Sequence, residues 1–207
     1  MTTSLPILIT AIQNTINTNA DEITELDKAI GDGDHVVNLQ RGLNALSAIS
    51  DELTTTDWSV ALMKIGMTLM STMGGASGSL FGSMFVSMGK VAKNKESDTA
   101  SFAEIFSQGV EAVKLRGKAD IGEKTMLDTL IPVAISLNSD VANNVSFDQI
   151  LDNVANEAIK GMESTKDLIA SKGRASFLGE RAIGHIDAGA RTSQLMICAI
   201  VDVLRQK

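Results

Sequence analysis

The 207-residue sequence is poor in aromatic side chains and in positive charge. Aromatic residues make up 3% of the chain, with no Tyr and 1 Trp, which disfavours a platform on which nucleic-acid bases stack. Lys and Arg number 18 against 25 Asp and Glu, so the net charge is −7. A surface of that sign repels the phosphate backbone of nucleic acids. We therefore expect no nucleic-acid partner.

Cysteine and long apolar runs are also scarce. The 1 cysteine, Cys198, excludes an internal disulfide and a metal site built from several thiolates. Because it lies in the apolar stretch 195–201, a buried and unreactive thiol is favoured. No run of about 18 apolar residues occurs, so we expect no membrane span. The N-terminal segment lacks the basic region of a secretory signal, and the expected compartment is the cytoplasm.

The sequence does contain helical periodicity. Apolar residues recur at steps of three and four, as in Leu5, Ile9, Ile12 and Ile16. Helices are predicted over 5–19, 21–29, 38–52, 58–73, 78–93, 101–115, 124–138, 146–171 and 191–205. Joining the first two leaves about eight helices. No Pro-rich or Ser-rich linker divides the chain, so we expect an all-α fold in a single domain, 1–207.

Glycines cluster in four places, 30–33, 73–82, 117–122 and 173–189. Each cluster lies at or near a junction between predicted helices. Glycine suits helix C-caps and tight turns, and it also lets the backbone approach a ligand closely. Because the clusters carry polar residues of matching chemistry, the second explanation is favoured.

Three aspartates, Asp27, Asp32 and Asp34, surround the first glycine cluster. Carboxylates this close repel one another unless a cation is bound. Ligands that are all oxygen suit hard ions, above all Mg²⁺, which commonly also binds phosphate oxygens. The spacing does not match a calcium-binding EF-hand loop. The alternative is a solvated Asp-Gly turn that caps helices.

His35 follows these aspartates and leads into the helix predicted from Asn38. Helix N-termini bind phosphate through their free N–H groups, so this junction is a candidate site for magnesium and phosphate. The alternative for His35 is a capping or surface histidine.

Three more stretches are candidate parts of a nucleotide site. The small residues 73–79 suit an anion-binding turn, although they do not form a Walker A loop. The stretch 114–128 is polar and contains glycine. The stretch 173–190 offers Arg174 to clamp phosphate and Asp187 to accept from a base or ribose, in a loop that could cover a ligand. Ordinary helix connections are the alternative.

Together the motifs resemble the L-subunit family of dihydroxyacetone kinases. The matching stretches are, in order, L-D-x-x-I-G-D-G-D-H-x-x-N, M-T-L-M-S-x-M-G-G-A-S-G, R-G-K-A-x-x-G-E-K-T-M-L-D and K-G-R-A-S-x-L-G-E-R-x-I-G-H-x-D-x-G-A. They extend from Leu26 to Ala190.

The resemblance implies a fold and a set of site residues. The fold is a barrel of eight antiparallel helices in up-and-down order, with the nucleotide and two Mg²⁺ ions at one rim. Asp27, Asp32 and Asp34 match the metal ligands. The positions that match the nucleotide site are His35, Val36, Val37, Asn38, Ala76, Ser77, Gly117, Met126, Arg174, Asp187, Ala188 and Gly189.

The resemblance also implies an activity divided among subunits. A free-standing L subunit keeps ADP as a coenzyme, and a phosphocarrier M subunit fed from phosphoenolpyruvate converts it to ATP. The γ-phosphoryl group then passes to dihydroxyacetone on the K subunit. No catalytic base is assigned to this chain, because the K subunit would supply it.

Two alternatives stay open. One is an ATP-dependent kinase of dihydroxyacetone or another small ketose, with its K domain on a separate chain. The other is a regulatory adaptor that binds a transcription regulator according to its ADP or ATP state. In each case we expect a homodimer.

Overall fold

The computed structural model describes residues 5–206 and contains helices and no strands within that range. The α-helices are α1 (Leu5–Thr18), α2 (Ala20–Ile30), α3 (His35–Ala48), α4 (Ser50–Thr54), α5 (Trp58–Thr72), α6 (Gly75–Ala92), α7 (Thr99–Gly117), α8 (Leu127–Ala142), α9 (Phe147–Ser164) and α10 (Ala188–Arg205). A 3₁₀ turn at Thr165–Asp167 and two further 3₁₀ turns within Arg174–Ala182, separated by a kink at Gly179 with φ +57°, lie between α9 and α10. The all-α class is confirmed. Within residues 5–206, no helix combines the length and apolar character needed to cross a membrane.

The helices α1 and α2 are separated only by Asn19. The Asn19 amide donates to Thr15 O at 3.2 Å, and Asn19 O accepts from the Ile23 amide at 3.0 Å. Helical hydrogen bonds therefore continue across the break, and the two helices act as one rod, as the joined pattern predicts.

Long helices pack mainly against their neighbours in the chain. The helices α5 to α9 contact one another in succession, while α10 lies against both α9 and α1. The helix α3 contacts α1 and α5. One cluster of buried apolar side chains extends from Ile9 to Leu195. This shared core fixes the helix ends that carry the polar loops.

The helices α5 and α6 contact each other through glycine. A Cβ added to Gly66 would lie 2.6 Å from Val86 N and 2.7 Å from Gly82 O. Because both atoms belong to the backbone, no side chain can be accommodated there without moving a helix. Glycine thus allows the two backbones to touch, and flexible methionines such as Met70 fill the space beside them.

Several helix ends differ from the prediction. The helix α3 begins at His35 instead of 38, and α6 begins at Gly75 instead of 78, so polar loop residues lie in first turns. The helix α8 begins at Leu127 instead of 124, because Lys124 has φ +59°, which interrupts a right-handed helix. The helix α9 ends at Ser164 instead of 171.

Candidate functional site

One cleft of about 360 Å³ gathers most of the predicted site residues. It lies between the C-terminal end of α2 and the N-terminal turns of α3, α6 and α10. The predicted residues that line it are Asp27, Asp32, Asp34, His35, Asn38, Ala76, Ser77, Met126, Arg174, Asp187, Ala188 and Gly189. Since helix N-termini offer free N–H groups and partial positive charge, this arrangement favours an anionic ligand.

The three predicted metal ligands lie together at this cleft. One carboxylate oxygen from each of Asp27, Asp32 and Asp34 lies within 4.8 Å of the other two. Asp27 is half-buried at the end of α2, and the other two are exposed in the loop before α3. The Oδ2 atom of Asp27 accepts from the His35 amide at 3.1 Å, which orients this carboxylate toward α3. An oxygen-only set of this size fits a hard divalent cation such as Mg²⁺.

Glycine shapes the aspartate loop. A Cβ at Gly31 would collide with the Asp27 carboxylate, so glycine keeps that space free. Gly33 has φ +77°, a backbone conformation that side chains rarely allow. The loop can therefore reverse direction between Asp32 and Asp34 while their carboxylates stay close.

The side chain of His35 joins three helices. On one side of the ring, Nε2 lies 3.0 Å from Thr192 Oγ1 on α10, and on the other, Nδ1 lies 3.1 Å from Ser77 Oγ on α6. Burial lowers the pKa of His35, although the charges of Asp27 and Asp34 oppose this change. The ring therefore connects the walls of the cleft and is not a free surface histidine.

The first turns of α3 and α6 pack closely. Asn38 is 6% exposed, and its Oδ1 accepts from Arg41 Nη1 at 3.3 Å. A Cβ at Gly75 would lie 3.2 Å from Asn38 Nδ2, and Gly75 itself has φ +65°. This contact places Ala76 and Ser77 beside α3 at the edge of the cleft.

Residues 165–187, called the covering segment below, reach the aspartate loop through an ion pair. Arg174 Nη2 donates to Asp32 Oδ2 at 2.7 Å. The Arg174 side chain is 71% exposed, so the pair contributes little to stability. Arg174 can therefore exchange Asp32 for another anion in the cleft.

Asp187 caps α10 at the far side of the cleft. Its Oδ2 accepts from the Ala190 amide at 2.8 Å. Burial raises the pKa of Asp187 to about 6, and the nearby negative charge of Asp128 adds to the increase. The carboxylate thus caps α10 while its side chain lines the cleft.

Three predicted residues do not line the cleft. Val36 is 5% exposed in the core, and Val37 is 53% exposed at the surface. Gly117 ends α7, where an added Cβ would lie 3.4 Å from Leu80 Cδ2. Since Leu80 itself lines the cleft, Gly117 lies just behind that wall.

Sequence reasoning missed Lys124 and the apolar wall. Lys124 lines the cleft although it is only 1% exposed, and Leu80 and Phe81 supply an apolar surface. Lysine is among the residues least often buried, so composition and periodicity gave no indication. The available signal was the position of Lys124 within the third matched motif.

The DAK2 domain family model matches residues 29–202. The chain belongs to the DAK2 domain family. The ADP-binding subunit DhaL of the PEP-dependent dihydroxyacetone kinase 1 of Listeria innocua is 39% identical over 186 residues, covering 90% of this DAK2 protein and 88% of the relative. The ADP-binding subunit DhaL of the PEP-dependent dihydroxyacetone kinase of Escherichia coli K12 is 37% identical over 190 residues, which cover 91% of this chain and 90% of the relative.

A solved structure shares the fold of this DAK2 protein. The dihydroxyacetone kinase of C. freundii in complex with AMP-PNP and Mg²⁺ matches with a TM-score of 0.74 and 22% identity. The match covers 96% of this chain and 33% of the kinase chain, so the DAK2 protein spans about a third of that larger protein. At this identity the similarity establishes the helical fold.

Proposed function

We propose that this DAK2 protein is the nucleotide-binding subunit of a phosphoenolpyruvate-dependent dihydroxyacetone kinase. It keeps ADP bound, a phosphocarrier M subunit returns that ADP to ATP, and the γ-phosphoryl group passes to dihydroxyacetone on a K subunit. The observation that carries the proposal is the meeting of three carboxylates with three helix N-termini at one cleft. Both relatives described above are named as PEP-dependent ADP-binding subunits.

The same proposal includes an eight-helix barrel in a single domain, 1–207. Packing contacts support a closed order, α1, α3, α5, α6, α7, α8, α9, α10 and back to α1. With α2 continuing α1 and α4 following α3, this order has eight members. Most connections between these helices are short, which favours antiparallel neighbours.

The metal part of the proposal assigns Asp27, Asp32 and Asp34 to two Mg²⁺ ions. In phosphoryl transfer such ions neutralise charge on the β- and γ-phosphate oxygens. The role of the three carboxylates is to hold that positive charge at the cleft mouth. Arg174 supplies a further, permanently charged group once it releases Asp32.

The nucleotide part assigns phosphate contacts to the first turns of α3 and α6. The residues proposed there are His35, Asn38, Ala76 and Ser77, together with Val36 and Val37, whose side chains do not line the cleft and which would contribute backbone N–H groups. Met126, with Gly117 behind Leu80, would border the adenine. Asp187, Ala188 and Gly189 close the opposite side. No side chain of this chain is assigned as a catalytic base, so its contribution is to bind and orient.

A reconstituted assay tests the activity. The chain is combined with K and M subunits, phosphoenolpyruvate and the general carrier proteins. We expect dihydroxyacetone phosphate to form only when M is present. Formation with free ATP and without M would favour the ATP-dependent kinase. Absence of ketose phosphorylation under either condition would contradict an enzyme and favour the regulatory adaptor.

Location and assembly are further parts of the proposal. We place the protein in the cytoplasm, where a single thiol is not drawn into a disulfide. Cys198 is half-buried instead of fully buried as expected, and burial raises its pKa, which favours an unreactive thiol. The homodimer and the contact with a transcription regulator rest on the family resemblance alone. Sedimentation of the purified chain as a monomer would contradict the homodimer.

A further inference from the structure

Lys124 combines two unfavourable features. Its side chain is 1% exposed, and its φ of +59° is uncommon for a residue with a side chain. A buried ammonium is costly unless polar partners satisfy it. Backbone strain of this kind persists only where the surroundings enforce it, and such sites are often functional. The contacts of Lys124 therefore need an explanation.

The ammonium group of Lys124 meets both ends of the covering segment. Its Nζ donates to the carbonyl oxygen of Thr165, at the first residue of the segment. It also donates to the carbonyl oxygen of His185, near the last residue, at 2.5 Å. One side chain thus brings together two points that are distant in sequence.

The preceding residue, Glu123, holds the middle of the same segment. Its carbonyl oxygen accepts from the Ser171 amide at 3.4 Å, and its Oε1 accepts from Ser171 Oγ at 2.7 Å. Lys172 Nζ lies 3.5 Å from the same carboxylate. Two consecutive residues therefore anchor the covering segment at its start, middle and end.

Thr165 transmits this anchoring to the cleft. Its Oγ1 donates to Met162 O at 2.7 Å and accepts from the Asp187 amide at 3.1 Å. Asp187 in turn caps α10 and lines the cleft. A displacement of Thr165 would therefore displace Asp187.

Asp128 stabilises the turn from which Lys124 projects. Its two carboxylate oxygens accept from the Gly122 amide at 2.6 Å and the Thr125 amide at 2.8 Å. Asp128 is 1% exposed, so these bonds are shielded from water. These bonds fix the turn to α8, so the backbone of Lys124 is held in a defined position. Burial lowers the pKa of Lys124, although the carboxylates of Asp187, Asp128 and Asp167 oppose this change and favour the charged form.

We propose that Lys124 is a positioning residue whose ammonium clasps both ends of the covering segment and so controls how long nucleotide stays in the cleft. These two hydrogen bonds of Lys124, called the clasp, position Arg174 and Asp187. Glu123 supports the segment between them through Ser171. The nucleotide part of this inference rests on the proposed function. The effect on the covering segment does not.

Hydrogen exchange on the nucleotide-free protein tests the clasp itself. Lys124→Met keeps the length of the side chain and removes its charge. We expect exchange in residues 165–187 to accelerate about tenfold or more, because hydrogen bonds to a charged group are among the stronger ones. Lys93→Met, an exposed lysine at the end of α6, is the matched control and should change nothing. Unchanged exchange in 165–187, or equal acceleration in all helices, would overturn the clasp.

Glu123→Gln gives a milder variant that does not depend on the buried site. It weakens the contacts with Ser171 and Lys172, so we expect faster exchange confined to the middle of the segment. Wild-type exchange there would contradict the anchoring by Glu123.

Chemical rescue separates charge from packing. Lys124→Cys in a Cys198→Ala background is unfolded, alkylated with 2-bromoethylamine and refolded, which restores an ammonium group of nearly the same length. The unmodified variant should release Mg-ADP about tenfold faster with little change in association rate. Alkylation should restore slow release, and failure to do so would overturn the role of the charge. If the wild-type protein does not bind Mg-ADP, the proposed function fails, while hydrogen exchange still judges the clasp.

Discussion

Glycine has one role in the α5–α6 pair and another in the covering segment. An added Cβ at Gly66 would meet backbone atoms of α6, at Val86 N and Gly82 O. An added Cβ at Gly173 would meet nothing within 4 Å, but the backbone there has φ +64°. The first glycine is required by packing and the second by conformation. Stability and function should therefore respond separately to changes in the two regions.

The largest expected effect is at the metal site. Asp34→Ala should weaken binding of Mg-ADP about hundredfold or more, because loss of even an outer partner of a metal ligand typically costs about 10–100-fold. Helix content should not change, because Asp34 is exposed and makes no side-chain capping bond. Calorimetry and circular dichroism measure the two quantities. Asp51→Ala, exposed on α4, is the control. Undiminished affinity after Asp32→Ala and Asp34→Ala would refute the metal assignment.

The next effect is on stability. Gly66→Ala should lower the free energy of unfolding by about 1–3 kcal/mol, since an added methyl group must move a backbone. Urea denaturation measures this loss, and Mg-ADP affinity of the folded variant should stay near wild type.

Gly173→Ala tests the second half of the comparison, the glycine that is required by backbone conformation. Alanine at φ +64° is strained, so the covering segment should open more readily. This opening should stay local, because segments with few buried contacts open without global unfolding. Hydrogen exchange should rise in residues 165–187, and the urea midpoint should hardly move. A midpoint shift as large as that of Gly66→Ala would show that the two regions are not separate.

A smaller effect concerns Arg174. Arg174→Ala should retain Mg-ADP about tenfold less well, because a charge-assisted contact with phosphate is lost. Arg174→Lys should restore this only in part, since lysine lacks the planar fork. Limited proteolysis with and without Mg-ADP reports on closure. Equal cleavage between Gly173 and Ala190 in both states, with wild-type nucleotide exchange in Arg174→Ala, would contradict a role in covering the nucleotide. The segment would then be only a connection between helices.

The smallest effect depends on pH. The pKa of Asp187 is raised in the folded protein to about 6, mainly by burial, so folding takes up a proton between the unfolded pKa and that value. This carboxyl therefore makes the ligand-free protein less stable as pH rises from about 4 to 6. Asp187→Asn can keep the cap on α10 without the charge. The difference in unfolding free energy between wild type and variant should change over this range, and a constant difference would contradict the raised pKa.

Sequence periodicity predicted the helices because each buries an apolar face. It placed the aspartate loop before His35 between helices, but it extended α9 through residues 165–171 and did not detect the break between α3 and α4 at Ile49. The starts of α3 and α6 were predicted about three residues late, because a hydrophobic pattern does not register polar first turns. In the site, spacing alone brought Asp27, Asp32 and Asp34 together as candidates, since they lie within one short loop.

The remaining features depend on contacts between distant segments. The contact of His35 with Ser77 and Thr192 joins three helices, and no local pattern encodes it. The early end of α9 at Ser164 and the burial of Lys124 are linked, because the lysine binds the carbonyl group of Thr165. Such tertiary contacts override local preference.

Native mass spectrometry of the purified protein tests the central claim most directly. The account predicts that each folded chain carries one ADP together with Mg²⁺, and that a chelator removes both and lowers the melting temperature by several degrees. A ligand bound only to the folded state stabilises it by about 4 kcal/mol at a thousandfold excess over Kd. A bare chain that gains no mass with Mg²⁺ and ADP, and whose melting temperature does not respond to chelator, would contradict the account.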